Sequence, residues 1–365
     1  AVKRTYLNVV LAVPHNALGF SVASHRTNHG PKIRGAYLCA HMSSIREIQA
    51  PVYAEMEAFS GHFREVLKSD VALLDTIMRF IVKRKGKQMR PLFVFLVAQI
   101  TGGCSPKTNT AASLIELLHT ATLVHDDVVD ESPMRRGFFS IQALWKKKVA
   151  VLVGDYLLSK GLLTAVENDA YDMLKITSRA VKEISEGELL QIEKSRKLDI
   201  TEDVYFEIIR RKTASLIAAC CACGAASAGA SDEEVERMWQ FGEKVGLAFQ
   251  IKDDLLDLGD GTRTGKPTGV DIKEKKMTLP LIHLLNNSSF RERKRLLKLV
   301  RKAPKNPAAV KEVMNSVLEG PGMEYSRGKM AQLRNEAVEM LDGFSESASK
   351  QSLIDLLDFT INRNK

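Results

Sequence analysis

From Ile45 to the C-terminal end, apolar residues recur at every third and fourth position, and no run alternates as a strand would. This period predicts helices over 45–84, 89–101, 109–131, 141–167, 171–196, 201–224, 231–259, 278–286, 288–302, 306–318, 326–345 and 350–362. The first is expected to break near Lys68–Val71. Breakers fall at Gly86, Gly102–Pro106, Pro133–Gly137, Gly224–Gly229, Gly259–Gly269, Pro304–Pro307 and Gly320–Gly322. A chain of 365 residues has room for one large domain or two. The gaps are short and none reads as a linker, so the pattern predicts one all-α domain, a helical bundle over residues 43–365. Many central helices lack a fully polar face, as expected where a middle layer is buried.

The first 41 residues depart from this pattern. They hold five basic residues, four histidines and no acid, and they show no sustained helical period. The regular sequence opens at Met42, so residues 1–42 are read as a non-core extension, disordered or not native. The other readings are an organelle transit peptide, from the basic, acid-free composition, and a poor signal peptide, since Pro14, His15 and Asn16 interrupt Leu7–Val13. The localisation expected is cytoplasmic, or an organelle if a transit peptide is present. The net charge of +9 suggests nucleic acid only until it is divided: after residue 41 there are 48 basic against 44 acidic residues, and aromatics are 6%. No nucleic-acid partner is expected. Of the five cysteines, Cys220 and Cys223 form a lone C-x-x-C inside AACCACGAASAGA, which reads as close helix packing. The uncharged stretch Thr213–Ser231 is mostly Ala, Ser and Gly, and no transmembrane segment is expected.

The candidate chemistry begins at HTATLVHDDVVDESPMRRG, His119–Gly137. Asp126, Asp127, Asp130 and Glu131 crowd the end of an apolar helix that Pro133 brings to a stop. Asp126 and Asp130 are four apart and share a face. Negative charge at a helix C-terminus opposes the macrodipole, so something positive is needed: a divalent cation, or the Arg135–Arg136 pair. A second D-D-x-x-D lies 127 residues later, in FQIKDDLLDLGDG, with Asp253, Asp254 and Asp257. One copy could be a solvated helix end. Two copies embedded in Leu, Val and Ile suit Mg2+, which takes one or two carboxylates plus substrate phosphates.

Weaker signals surround them. GKQMRP places Lys87 and Arg90 at a helix start, either an ordinary basic turn or an anion site. His119, two turns before Asp126, is either a hydrogen-bonded core residue or part of the site. EGELLQ puts Glu188 and Gln191 on one helix face, and RRKTASL puts Lys212 and Thr213 beside an apolar helix. The basic, Gly-rich GTRTGKPTGVDIKEKKMTLP reads as a mobile lid or a surface loop.

Taken in order, GKQMRP, His119, DDVVD with RRG, GELLQ, KTASL, FQIKDDLLD and GKPTGVDIKEKKMTLP resemble the trans-polyprenyl (isoprenyl) diphosphate synthases, of the long-chain type, over residues 43–365. One departure is Gln88, where the family often has a basic residue. The resemblance implies the isoprenoid-synthase fold, in which two acidic helices face across a deep central cavity, and a homodimer. It implies Mg2+, about three ions per site, on Asp126, Asp130, Asp253 and Asp257. Arg135, Lys212, Thr213, Gln250 and Lys266 would contact the allylic diphosphate, and Lys87, Arg90, His119 and Arg136 the isopentenyl diphosphate. Asp126, Asp130, Arg135, Lys212, Asp253 and Lys266 would form the catalytic set. Asp127, Asp254, Glu188 and Gln191 would support them. No transmembrane anchor is implied, while peripheral membrane contact for product release is compatible with the reading.

The reaction implied is repeated condensation of isopentenyl diphosphate with an allylic prenyl diphosphate, giving a polyprenyl diphosphate of the kind used for quinone side chains. The growing tail would run past Thr122, Ala121 and Leu118, the first two about one helical turn below Asp126. Ala121 is small where short-product relatives place a ring, so a product of roughly C30–C50 is expected by resemblance. The alternatives are a C15–C20 synthase, a terpene cyclase or head-to-head synthase of the same fold, a non-catalytic regulatory subunit, and a purely structural helical protein.

Overall fold

Side-chain caps set where many of the helices begin. Ser44, Ser105 and Ser231 each close a capping box with the residue three positions on, and Ser140, Thr201 and Ser289 each accept a backbone N–H from the first turn. The structure, a computed structural model, describes residues 44–83, 86–135, 138–259 and 268–362. Within them the helices are α1 (Ile45–Gln49), α2 (Tyr53–Val66), α3 (Ala72–Lys83), α4 (Met89–Thr101), α5 (Pro106–Val129), α6 (Ile141–Glu167), α7 (Tyr171–Lys197) and α8 (Glu202–Ile209). They continue with α9 (Ser215–Ser227), α10 (Asp232–Leu258), α11 (Val270–Lys273), α12 (Leu279–Asn286), α13 (Phe290–Lys302), α14 (Pro307–Glu319), α15 (Gly322–Glu339) and α16 (Ala348–Asn362). Two short strands, β1 (Met134–Arg135) and β2 (Phe138–Phe139), pair antiparallel.

The all-α expectation holds, with four local differences. Pro51 turns the chain through a 3-10 segment between α1 and α2. The region expected as one helix over 201–224 is α8 and α9 joined by a π-helical turn, Arg210–Ala214. The small hairpin of β1 and β2 and the short α11 have no counterpart in the hydrophobic pattern, being too brief to show a period. Inside α6, Lys146 adopts φ 73° and ψ 158°, a break that the apolar period does not register.

The centre of the bundle is α9, whose Ala, Cys, Ser and Gly side chains are buried almost throughout. Small residues let α4, α5, α7 and α10 approach it closely on several sides. Its register fixes the site. Ser227, at the end of α9, hydrogen-bonds Thr108 in the first turn of α5 at 2.9 Å. Further along both helices, Glu116 lies near enough to Cys220 to raise the thiol pKa, although burial is the larger cause of its rise to about 12. The two helices are therefore antiparallel, and α5 carries Asp126 toward the start of α9. At that start Thr213 donates to Gln250 of α10 at 2.8 Å, so the C-terminal end of α10 arrives there too. A second apolar core, around Ile251, Leu255, Leu279, Leu281 and Leu296, joins the end of α10 to α12–α15.

Among the described residues, α6 is the one helix long and apolar enough to cross a membrane by length and composition, rather than the Thr213–Ser231 stretch. One of its faces packs along α5, while Leu144, Val151, Leu152, Leu162, Leu163 and Val166 remain exposed in a stripe on the other.

Candidate active site

The π turn carries Lys212 and Thr213 and is gripped from two sides. On α7, a Cβ at Gly187 would lie 2.7 Å from the Lys212 backbone N. On α10, a Cβ at Gly246 would lie 2.4 Å from the Ala214 Cα. Only glycine permits both approaches, and single π turns inside helices are frequent at functional sites. Lys212 then meets Glu188 in an ion pair and lies 3.4 Å from the Gln191 amide oxygen. The two weak sequence signals, EGELLQ and RRKTASL, form one constellation.

Beside it, Gln250 accepts from Thr213 and donates to Asp254 Oδ1 at 2.9 Å. The other oxygen of Asp254 accepts the Tyr205 hydroxyl at 2.7 Å. Asp254 and Tyr205 are both buried. Burial first, and the negative charge of Asp271 second, push the Asp254 carboxyl up to about 7. Burial also pushes the Tyr205 phenol well above its ordinary range. Asp253 is half-buried on the neighbouring position. Asp257 uses both carboxylate oxygens as a cap, accepting the Val270 and Asp271 backbone N–H groups at 3.1 Å. This docks α11 on the end of α10 and brings Asp271, itself raised by burial, into the acidic cluster, with Lys276 at 3.5 Å. Tyr205 and Asp271 are additions to the residues expected from sequence. Tyr205 reads there as one more apolar position, and Asp271 lies in the lid-like stretch where the resemblance points only to Lys266.

At the end of α5, Asp126 and Asp130 are exposed, while Asp127 is buried. The Asp127 carbonyl accepts from Ser132 N and from the Gln142 amide, tying the helix end to α6. His125 Nε2 reaches Val151 O at 3.3 Å and Asp155 at 3.4 Å. Glu131 pairs with Lys147, which lowers its pKa through the hydrogen bond first and the charge second. His119 is buried, and its carbonyl accepts the Thr122 hydroxyl at 2.9 Å. Arg90 is half-buried at the start of α4, close enough to Cys220 to lower its thiol pKa in part. Lys87 lies over the Phe359 ring, 4.6 Å from its centroid. Ala121 and Leu118 are buried, Leu118 toward Gly161 of α6. Arg135 belongs to β1, whereas Arg136 and Lys266 lie outside the described residues.

No metal-binding group of three or more His, Cys, Asp or Glu side chains occurs among the described residues. The donors instead are hard carboxylate oxygens on two helix ends, neither of which has a basic residue in its last turn. That set fits Mg2+, which keeps waters and takes few protein ligands when phosphates supply the rest. Both helix dipoles add negative potential at this end, so cations are favoured there.

The family model described as polyprenyl synthetase matches residues 71–317. An all-trans-nonaprenyl-diphosphate synthase (geranyl-diphosphate specific) of Rhodobacter capsulatus is 35% identical over 87% of this chain and 98% of its own. The octaprenyl diphosphate synthase of Escherichia coli is 32% identical over 89% of this chain and 100% of its own. A polyprenyl synthase structure from Caulobacter crescentus, complexed with calcium and isoprenyl diphosphate, superposes with a TM-score of 0.81 at 32% identity, covering 89% of this chain and 99% of that one.

Proposed function

The chain belongs to the polyprenyl synthetase family, and on that premise we propose how its residues divide the work. It is a trans-polyprenyl diphosphate synthase, a transferase that condenses isopentenyl diphosphate with an allylic prenyl diphosphate in repeated cycles to a long all-trans chain. The observation that carries the assignment of roles is the register on α9: both aspartate clusters and Lys212 arrive at one end of the bundle.

Asp126, Asp130 and Asp253 would hold Mg2+, three ions by family resemblance. The bound ions would supply Lewis-acid stabilisation of the leaving diphosphate. Asp257, the fourth carboxylate of that set, also caps α11 and so positions Asp271 at the metal end. Lys212, oriented by Glu188 and Gln191, neutralises charge that develops as the allylic C–O bond breaks and its electron pair leaves with the diphosphate. Thr213, Gln250, Arg135 and Lys266 orient that diphosphate. Lys87, Arg90, His119 and Arg136 hold isopentenyl diphosphate so that its double bond faces the allylic C1. The new C–C bond leaves a tertiary cation, and loss of a proton to the released diphosphate restores an alkene. The tail passes Thr122, Ala121 and Leu118.

The exposed stripe of α6 supports a homodimer, since six apolar residues on one helix face want a partner surface. A cytoplasmic site of action is part of the same proposal. The test is substitution: Asp126→Ala and Asp253→Ala should each lower turnover by about 10³-fold or more while leaving the helical circular dichroism intact. Calorimetry with Mg2+ and inorganic diphosphate gives a second readout, in which both variants should lose binding. Wild-type binding and turnover in both would overturn the metal roles.

A further inference from the structure

The strongest charge asymmetry in the chain lies far along the sequence from these residues, on α13. This helix has seven Lys and Arg and one acid in thirteen residues. Residues 42–365 have 48 basic and 44 acidic residues, so the rest of that region outside α13 is net negative by two. Arg291, Lys294, Lys298, Arg301, Lys302 and Lys305 follow one another at helical spacing and are all exposed. None of the six has an ion-pair partner among the described residues, whereas Arg295, just off this stripe, is held by Glu292 and Glu312. The opposite face of α13 is fixed: Leu296 and Val300 are fully buried in the core around α12–α15. Phe290, at the start of the helix, is 82% exposed. A rigid basic stripe about 20 Å long, ending in an exposed aromatic ring, is a surface shaped for a planar array of negative charge.

We propose that the outer face of α13 docks the enzyme on an anionic lipid bilayer, with Lys and Arg on the headgroups and Phe290 at the interface. The choice of a bilayer over another polyanion rests on the reading given under the proposed function. A long polyprenyl product has an apolar tail that water does not accept, so a membrane-apposed enzyme can hand it over directly. A stripe without interleaved aromatic residues offers no stacking platform for nucleic-acid bases. The helix is already folded and anchored, so docking requires no insertion of its apolar face and no refolding.

The experiment is sedimentation of the full chain with phosphatidylcholine vesicles containing about 30 mol% phosphatidylglycerol, against pure phosphatidylcholine, at about 0.1 M salt. Binding to the anionic vesicles only is expected. Arg291→Glu/Lys294→Glu/Lys298→Glu should weaken partitioning by roughly 100-fold or more, and about 0.5 M salt should do the same to the wild type. Phe290→Ser should weaken it less. Circular dichroism and turnover in detergent should be unchanged in all variants, which separates docking from folding. No wild-type binding to anionic vesicles, equal binding by the triple variant, or displacement from vesicles by an equal charge of duplex DNA would each overturn the proposal. Because the assay contains no substrate, loss of docking leaves the catalytic reading standing, and failure of turnover leaves docking standing.

Discussion

Gly187→Ala probes the link between packing and chemistry at the π turn. A methyl group at this position would stand 2.7 Å from Lys212 N, 2.8 Å from the Arg211 Cβ and 3.2 Å from the Arg211 carbonyl carbon. Ordinary contact begins near about 3.4 Å, so the turn must retreat from α7 by roughly 0.7 Å or remain compressed. It cannot retreat easily, because Gly246 already brings α10 against Ala214 from the other side. Overpacking of this kind costs about 1–3 kcal/mol, which lowers the unfolding midpoint by several degrees in a domain of this size. The functional effect should be larger than the stability effect suggests. Moving Lys212 displaces its ammonium from Glu188 and Gln191 and from its proposed place on the diphosphate, and a misplacement near 1 Å costs up to about 100-fold in rate. The assay is steady-state condensation at saturating Mg2+ with each substrate varied in turn. We expect kcat/KM for the allylic substrate to fall by roughly 10- to 100-fold, with KM for isopentenyl diphosphate little changed. Gly61→Ala is the control, since nothing lies within 4 Å of a Cβ there, and it should leave activity alone. Wild-type kinetics in Gly187→Ala would refute the reasoning that links this approach to Lys212.

Three further outcomes follow from single residues. Asp254, with its carboxyl near 7, binds more protons folded than unfolded between about pH 4 and 7, so its contribution to metal-free stability falls as pH rises through that window. Asp254→Asn should flatten the unfolding midpoint against pH over that range and gain relative stability at pH 8; an unchanged slope would contradict the sign. Lys146→Gly relieves a φ of 73° that side chains rarely adopt, and should raise stability by about 1–2 kcal/mol in chemical denaturation. Ala121→Phe puts a ring into a fully buried position beside the proposed tail path and should shorten the product, as read by chromatography of the dephosphorylated alcohols.

The long helices were legible because their apolar faces repeat over many residues, and α4 and α6 have the bounds that the period predicts. The aspartate clusters were legible because charge at the end of an apolar helix is conspicuous. The π turn was not, because 201–224 has no Pro and no Gly before Gly224 to interrupt its apolar pattern, and the bulge depends on glycines that lie on other helices. Lys212 needed Glu188 and Gln191, 24 and 21 residues earlier on another helix, to acquire an orientation. Asp257 is expected as a ligand from the family resemblance. Its use as a cap could not be read before the chain from Gly269 to Asp271 was seen to fold back on it.

Product sizing is the most direct measurement. Purified protein incubated with Mg2+, labelled isopentenyl diphosphate and a panel of allylic primers should give all-trans products of roughly C30–C50, and none when Mg2+ is chelated. Incorporation that stops at C15–C20 would contradict the long-chain reading, and no incorporation with any primer would contradict the enzyme itself.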